Sequence, residues 1–196
     1  PDMIVLTGDL VDSNHTNVKR AVSFVEQAVT IAPVYYVTGN HEYWLTSTDR
    51  QQTLQGILSA GAINLDNLSV SITRGDSSFL LVGLDDHHLS DETLKRLLTN
   101  QNELSIVLAH EPQYLQEYAD AGADLVLSGH AHGGQFRLPF IGGLVAPDQG
   151  FLPEYTSGDY TIADTDMIVS RGLGNSIIPV RLFNYPEIVC VELSFP

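Results

Sequence analysis

The densest chemistry in the chain lies in Ser128-Gly129-His130-Ala131-His132-Gly133-Gly134-Gln135. Two imidazoles stand two residues apart with glycine on both sides. In extended backbone, side chains at i and i+2 point the same way, so His130 and His132 are expected to reach into one small volume. The glycines allow a sharp turn and a close backbone approach. Alone, His-x-His is a weak signal, because paired loop histidines are often plain polar surface. Three further groups strengthen it: Gly8-Asp9-Leu10-Val11-Asp12, Gly39-Asn40-His41-Glu42 and His110-Glu111-Pro112. Asp9, Asn40, His110, His130 and His132 form a mixed oxygen and nitrogen donor set, which suits Mn, Fe or Zn better than Ca or Mg. A carboxylate such as Asp9 can also bridge two ions about 3.5–4 Å apart.

Each of these groups directly follows an apolar run that reads as a buried strand. The strands are 3–6, 34–37, 105–109 and 125–127. Helices are expected over 17–31, where Val18, Ala21, Val22, Val25 and Val29 recur at three and four, and over 49–60, with Ser47 or Thr48 as caps. Further helices are expected over 90–98 and 113–121. Strand, helix, strand with a polar cluster after each strand is a βαβ unit whose functional groups collect on one edge. Short β runs at 63–65, 68–73 and 79–84 read as an antiparallel meander, and later strands are expected at 167–170 and 188–193. In Asp85-Asp86-His87-His88 neighbouring side chains alternate in direction, which argues against a shared ligand role for the histidines and leaves Asp86 a hydrogen-bonding part near the site.

At 196 residues, with 43% hydrophobic and 17% charged residues, the chain can build one sizeable domain over 1–196. The net charge of -15 argues against a nucleic-acid backbone as partner. The single cysteine, Cys190, sits in an apolar run and reads as a small buried hydrophobe. Compartment and oligomeric state are left open by the composition, with a cytoplasmic or a membrane- or envelope-associated setting both compatible.

In these motifs and their order the chain resembles the calcineurin-like metallophosphoesterases. The later signatures of that family stand here as Gly8-Asp9-Leu10-Val11-Asp12, Gly39-Asn40-His41-Glu42, His110 and Gly129-His130-Ala131-His132. The tail His132-Gly133-Gly134-Gln135, with Pro139, Gly142-Gly143 and Gly172-Leu173-Gly174-Asn175-Ser176, is similar to a bacterial branch that includes UDP-diacylglucosamine hydrolases and related envelope phosphoesterases. The resemblance implies a four-layer α/β/β/α sandwich of two mixed sheets. It implies two divalent or trivalent ions (Mn, Fe or Zn) on Asp9, Asn40, His110, His130 and His132, and hydrolysis of a phosphomonoester or phosphodiester by a metal-activated water. Small-molecule or lipid-linked phosphoesters are the implied substrates. His41 is the implied proton donor to the leaving group, Asp12 an acceptor that orients His41 or another site histidine, and Glu42 a brace for the loop.

One family signature, Asp-x-His, has no counterpart here, and the chain reads as an N-terminally incomplete piece of a longer protein. One metal position then keeps Asp9, Asn40, His110 and His130, while the other keeps only Asp9 and His132. The rival expectation is a catalytically impaired or non-catalytic metal-binding module of the same fold. A mononuclear zinc hydrolase of another fold finds no His-Glu-x-x-His motif in support.

Overall fold

The computed structural model describes residues 1–86, 91–98, 103–175 and 179–194. His87 and His88 lie outside the described residues. The first half runs β1 (Ile4–Thr7), α1 (Val18–Ala28), β2 (Val34–Val37), α2 (Asn40–Trp44), α3 (Ser47–Ser59) and β3 (Ile63–Asn64), alternating as the sequence predicts except that α2 forms where only a polar cluster is expected. Then come β4 (Leu68–Arg74), β5 (Ser77–Gly83), α4 (Asp91–Leu97), β6 (Leu104–Leu108), α5 (Leu115–Asp120) and β7 (Leu125–Ser128). Short hairpin strands β8 (Arg137–Leu138), β9 (Gly142–Gly143), β10 (Val145–Ala146) and β11 (Gly150–Phe151) precede the longer β12 (Gly158–Ile162) and β13 (Thr165–Val169).

Two main sheets result. The first runs β1-β2-β3, all parallel, with Leu6 opposite Tyr36. The second runs β12-β13-β7-β6-β5-β4, parallel through its centre with antiparallel strands at both edges. Period-two alternation assigns every central side chain to one of three apolar layers. Val34 and Tyr36 face outward against Val25 and Ala28 of α1 and Ile57 of α3. Tyr35 and Val37 turn inward to meet Leu81, Ile106, Leu108 and Leu127 of the second sheet. On the far side Leu80, Val82, Val107 and Val126 pack against Leu94 and Leu97 of α4 and Leu115 and Tyr118 of α5. The order is α/β/β/α, with both sheets buried on two faces. Each fully buried Leu, Ile or Val contributes roughly 1.5–3 kcal/mol.

Several expectations need correction. The run at 63–65 is not part of a meander. Ile63–Asn64 pairs parallel to β2 in the first sheet, and the chain then crosses to the second sheet before the β4–β5 hairpin. Short spacing indicates a turn but not which sheet receives the strand. Thr46, not Ser47 or Thr48, caps α3, its side chain accepting from the Asp49 N–H. The helix expected at 113–121 is preceded by a 3-10 turn over Pro112–Tyr114. Residues 188–193 form no strand: among the described residues their backbone meets no ladder, and alternation alone cannot make one. Most of their side chains are consequently left open, with Ile188 82% exposed and Cys190 exposed rather than buried, while Leu193 packs partly buried against the layer between the sheets.

Candidate metal centre

Strands β1, β2, β6 and β7 all end on the same edge of the two sheets, and the residues after them fold over that edge. Gly8 and Asp9 follow β1, Gly39 and Asn40 follow β2, and His110 and His130 lie two residues past β6 and β7. The two glycines are required by packing. A Cβ on Gly8 would fall 2.5 Å from His110 Nδ1, and one on Gly39 would fall 2.5 Å from Asp9 Oδ1. Gly8 also takes a φ of +91°, a region side chains rarely adopt.

His110 is the hub. Its Nδ1 donates to the Thr7 carbonyl at 2.7 Å, joining the two sheets. A carbonyl can only accept, so the Nδ1 proton is fixed and the neutral ring holds a lone pair at Nε2. That nitrogen faces Asn40 Oδ1 at 2.9 Å, His130 Nδ1 at 3.0 Å and Asp9 Oδ2 at 3.2 Å. His130 Nε2 lies 2.8 Å from Asp148 Oδ2, another acceptor-only partner, so the inward His130 Nδ1 is also a lone pair. Four lone-pair donors thus converge, and Asp9 Oδ2 is buried without a well-aligned hydrogen bond. Ligand atoms of Asp9, His110 and His130 all lie within 4.8 Å of one another. Only a cation, or a proton on His110, satisfies such a set, so the donors fit a transition-metal ion.

In the absence of metal the proton serves. Burial lowers the His110 pKa, but the Asp9 charge and hydrogen bond outweigh it and raise the value to about 9. Burial raises the Asp9 carboxyl, and the charge and hydrogen bond of His110 pull it down to about 2. Burial holds His130 below the ordinary range, helped by the His110 charge and opposed by Asp148. The signs give a prediction. His110 is raised, so its contribution is complete below about pH 6.5 and lost as pH rises through about 9. Asp9 is depressed, so its share is complete above about pH 3.8 and lost only as pH falls through about 2. Thermal melts of metal-free protein should therefore show Tm falling between pH 6.5 and 9, while Mn2+ affinity rises with pH over the same window.

The other predicted residues lie around this set. His132 is close enough for its pKa to respond to Asp9, His130 and His110, though burial is what chiefly lowers it, to about 4. It is not one of the tight set. The extended-chain argument for the His130 and His132 pair fails: His130 and His132 have φ of 60° and 48°, and Ala131 between them is helical. Asp9 (φ 53°) shares this left-handed backbone, a local cost of about 1–2 kcal/mol per residue. Buried His41 donates its backbone N–H to Asp9 Oδ1 at 2.9 Å. Its Nδ1 accepts from the Ser13 N–H at 3.0 Å, with Ser13 Oγ also at 3.0 Å, whereas Asp12 Oδ1 stands off at 3.6 Å. Direct orientation of His41 thus belongs to Ser13, because an N–H can only donate, and Asp12 instead ties down its own loop by accepting from the Asn14 N–H.

Glu42 braces the loops as expected, and more completely. Its carboxylate accepts from the N–H groups of Asp9 (2.9 Å), Leu10 (2.8 Å), Val11 (3.4 Å) and Gly39 (2.8 Å). Burial, then the Asp9 charge, raises its pKa to about 7 against those N–H groups. Asp86 sits near His110 and Glu111 with Oδ1 buried and, among the described residues, without a hydrogen-bond partner, and burial lifts its pKa to about 7. Ser13, Thr7 and Asp148 are not found by reading the sequence: a serine, a strand carbonyl and a hairpin aspartate carry no spacing signal.

Comparison with known proteins bears on this arrangement. Residues 1–134 match the family model described as calcineurin-like phosphoesterase. The uncharacterized metallophosphoesterase YkuE of Bacillus subtilis is 31% identical over 200 residues, covering 99% of this chain and 68% of that protein. Phosphodiesterase YaeI of Escherichia coli is 29% identical over 194 residues, 98% of this chain and 70% of that protein. In fold, the chain is similar to the crystal structure of TT1561 of Thermus thermophilus, with a TM-score of 0.52 at 14% identity over 86% of this chain and 76% of that one.

Proposed function

Since the chain belongs to the calcineurin-like phosphoesterase family, we propose that it is a metal-dependent hydrolase of phosphoesters, with Asp9, Asn40, His110 and His130 holding a divalent ion and Asp9 and His132 supplying part of an adjacent position. The observation that carries this reading is the convergence of lone pairs on His110 Nε2 with no proton arrangement of the neutral rings to satisfy them. Bound at this set, Mn, Fe or Zn would activate water for attack on phosphorus and neutralise phosphoryl oxygens.

The chain's own residues account for the rest. Ser13 occupies His41 Nδ1 as donor, so the neutral ring carries its proton on Nε2. His41 is thereby set to donate a hydrogen bond from Nε2 to a phosphoryl or departing oxygen and to stabilise the negative charge that develops there, keeping its own proton. Its backbone N–H on Asp9 Oδ1 keeps proton donor and ligand in fixed relation. Tilted against it, Trp44 holds the ring, with centroids 5.0 Å apart. The name of the Escherichia coli relative favours a phosphodiester as the first probe.

The test is hydrolysis of bis-p-nitrophenyl phosphate with added Mn2+, comparing wild type with His41→Ala. Turnover should fall about 10²–10³-fold in the variant, the range expected on losing one hydrogen-bond donor to developing charge, while metal content stays the same. Loss of metal along with activity would make His41 structural. A wild-type chain that binds Mn2+ yet hydrolyses neither mono- nor diester would favour the non-catalytic reading.

A further inference from the structure

We infer that Asp148 is a positioning residue, fixing His130 in the tautomer and orientation that present its Nδ1 to the cation set. The inference rests on the metal reading above. Asp148 lies beyond the residues matched by the family model and follows none of the motif strands.

The geometry is specific. His130 is buried, its side chain 1% exposed, and its ring can be held only through its two nitrogens and its packing. One nitrogen faces His110; the other lies 2.8 Å from Asp148 Oδ2. The His110 ring stands at 65° to it with centroids 4.7 Å apart, which leaves the hydrogen bond to Asp148 to set ring rotation and proton position. A ligating histidine needs such a partner on its outer nitrogen, and carboxylates are the most effective at fixing the tautomer and raising donor basicity.

The turn that delivers this carboxylate is built for it. Val145 and Ala146 pair with Phe151 and Gly150, closing a hairpin over Pro147-Asp148-Gln149. Asp148 takes a φ of 56° at its tip, and the Gln149 N–H donates to the Pro147 carbonyl at 2.7 Å. Gln149 is clamped in turn: its Nε2 donates to the Tyr155 carbonyl and its Oε1 accepts from the Tyr155 N–H, both at 2.8 Å. A strained, doubly anchored tip holds the carboxylate on the outer nitrogen of a buried histidine. With Glu111, the same histidine and carboxylate form a second group whose ligand atoms lie within 4.8 Å of one another, so an ion bridging Asp148 and Glu111 is the rival occupant.

Three measurements on Asp148→Ala, Asp148→Asn and wild type decide it, with Asp164→Ala as a matched loss of one exposed carboxylate. Long-range 1H–15N spectra of metal-free protein, recorded above about pH 9 where His110 is neutral and cannot donate to His130 Nδ1, read the His130 tautomer directly. Wild type and Asp148→Asn should show the Nε2–H form, because an amide oxygen still accepts, and Asp148→Ala should shift toward Nδ1–H. Calorimetric titration with Mn2+ should show about 10–100-fold weaker binding in Asp148→Ala, a smaller loss in Asp148→Asn and none in Asp164→Ala, at unchanged Tm. An unaltered tautomer or unaltered affinity in Asp148→Ala overturns the inference, as does anomalous scattering that places an ion between Asp148 and Glu111. Failure of wild type to bind Mn2+ overturns the metal reading instead, and the metal-free spectra still decide what Asp148 does to His130.

Discussion

Substituting Asp9 with asparagine is expected to strip the chain of its cation and of hydrolysis while leaving it folded. The side chain would keep its shape, and an amide oxygen can still accept the His41 N–H now bonded to Asp9 Oδ1. The backbone N–H of residue 9 would still donate to Glu42. What disappears is the negative charge at the centre of the donor set. Losing an outer partner of a ligand costs about 10–100-fold in metal affinity, so losing the anionic ligand itself should cost at least about 100-fold. Metal-borne charge stabilisation is worth several kcal/mol, and each 1.36 kcal/mol is tenfold, so diester hydrolysis should fall by about 10³ or more. Removing Asp9 also removes the main influence raising the His110 pKa, so the pH-dependent fall in metal-free Tm above pH 6.5 should flatten in the variant. Metal analysis after dialysis and thermal melts are the measurements. An Asp9→Asn protein that retains its ion would place the cation elsewhere.

The layers are legible in the sequence because both sheets are buried on two faces, and buried parallel strands write themselves as compact apolar runs such as Val34-Tyr35-Tyr36-Val37. The site is legible at strand ends for the same reason: parallel strands share a direction, so the loops leaving their C-terminal ends meet on one edge. Local conformation is not legible in this way. Extended alternation gives His130 and His132 a common direction, but the loop is left-handed at both. Sheet membership fails at Ile63–Asn64, since pairing partners are set by the tertiary crossing and not by spacing. The run at 188–193 fails because strand propensity has no effect where, among the described residues, no neighbouring strand offers its backbone. Hydrogen-bond partners are the least legible of all. Ser13 takes the place expected of Asp12 on His41 through a backbone N–H, a group every residue but proline possesses and no residue type announces.

Glu42→Ala is expected to be the most destabilising single substitution near the site, and its mechanism differs from that of Asp9. Glu42 is fully buried and touches no ligand-bound atom in the proposed chemistry. Its carboxylate instead gathers N–H groups from two loops: Asp9, Leu10 and Val11 after β1, and Gly39 after β2. Those loops supply Asp9 and Asn40, so one side chain holds the relative position of two of the proposed ligands. Truncation leaves these buried donors unpaired, each costing about 1–3 kcal/mol where no replacement acceptor arrives. Against this stands relief of the repulsion between Glu42 and Asp9, which together with burial holds the Glu42 pKa near 7. The unpaired donors outnumber that relief. A net loss of about 3–5 kcal/mol is expected, the size seen when a buried, hydrogen-bonded charge network is broken, and at about 2–4 °C per kcal/mol for a domain of this size it should lower Tm by about 10 °C. Glu42→Gln should lose less, because its amide oxygen still accepts from one pair of N–H groups while the amide nitrogen confronts the other. Mn2+ affinity should fall in step with Tm across wild type, Gln and Ala, unlike Asp9→Asn, where affinity falls while Tm holds once pH is above about 9 and the His110 contribution is already gone. An alanine variant melting within about 2 °C of wild type would mean that the loops after β1 and β2 are held by packing alone, through the glycines that admit His110 between them.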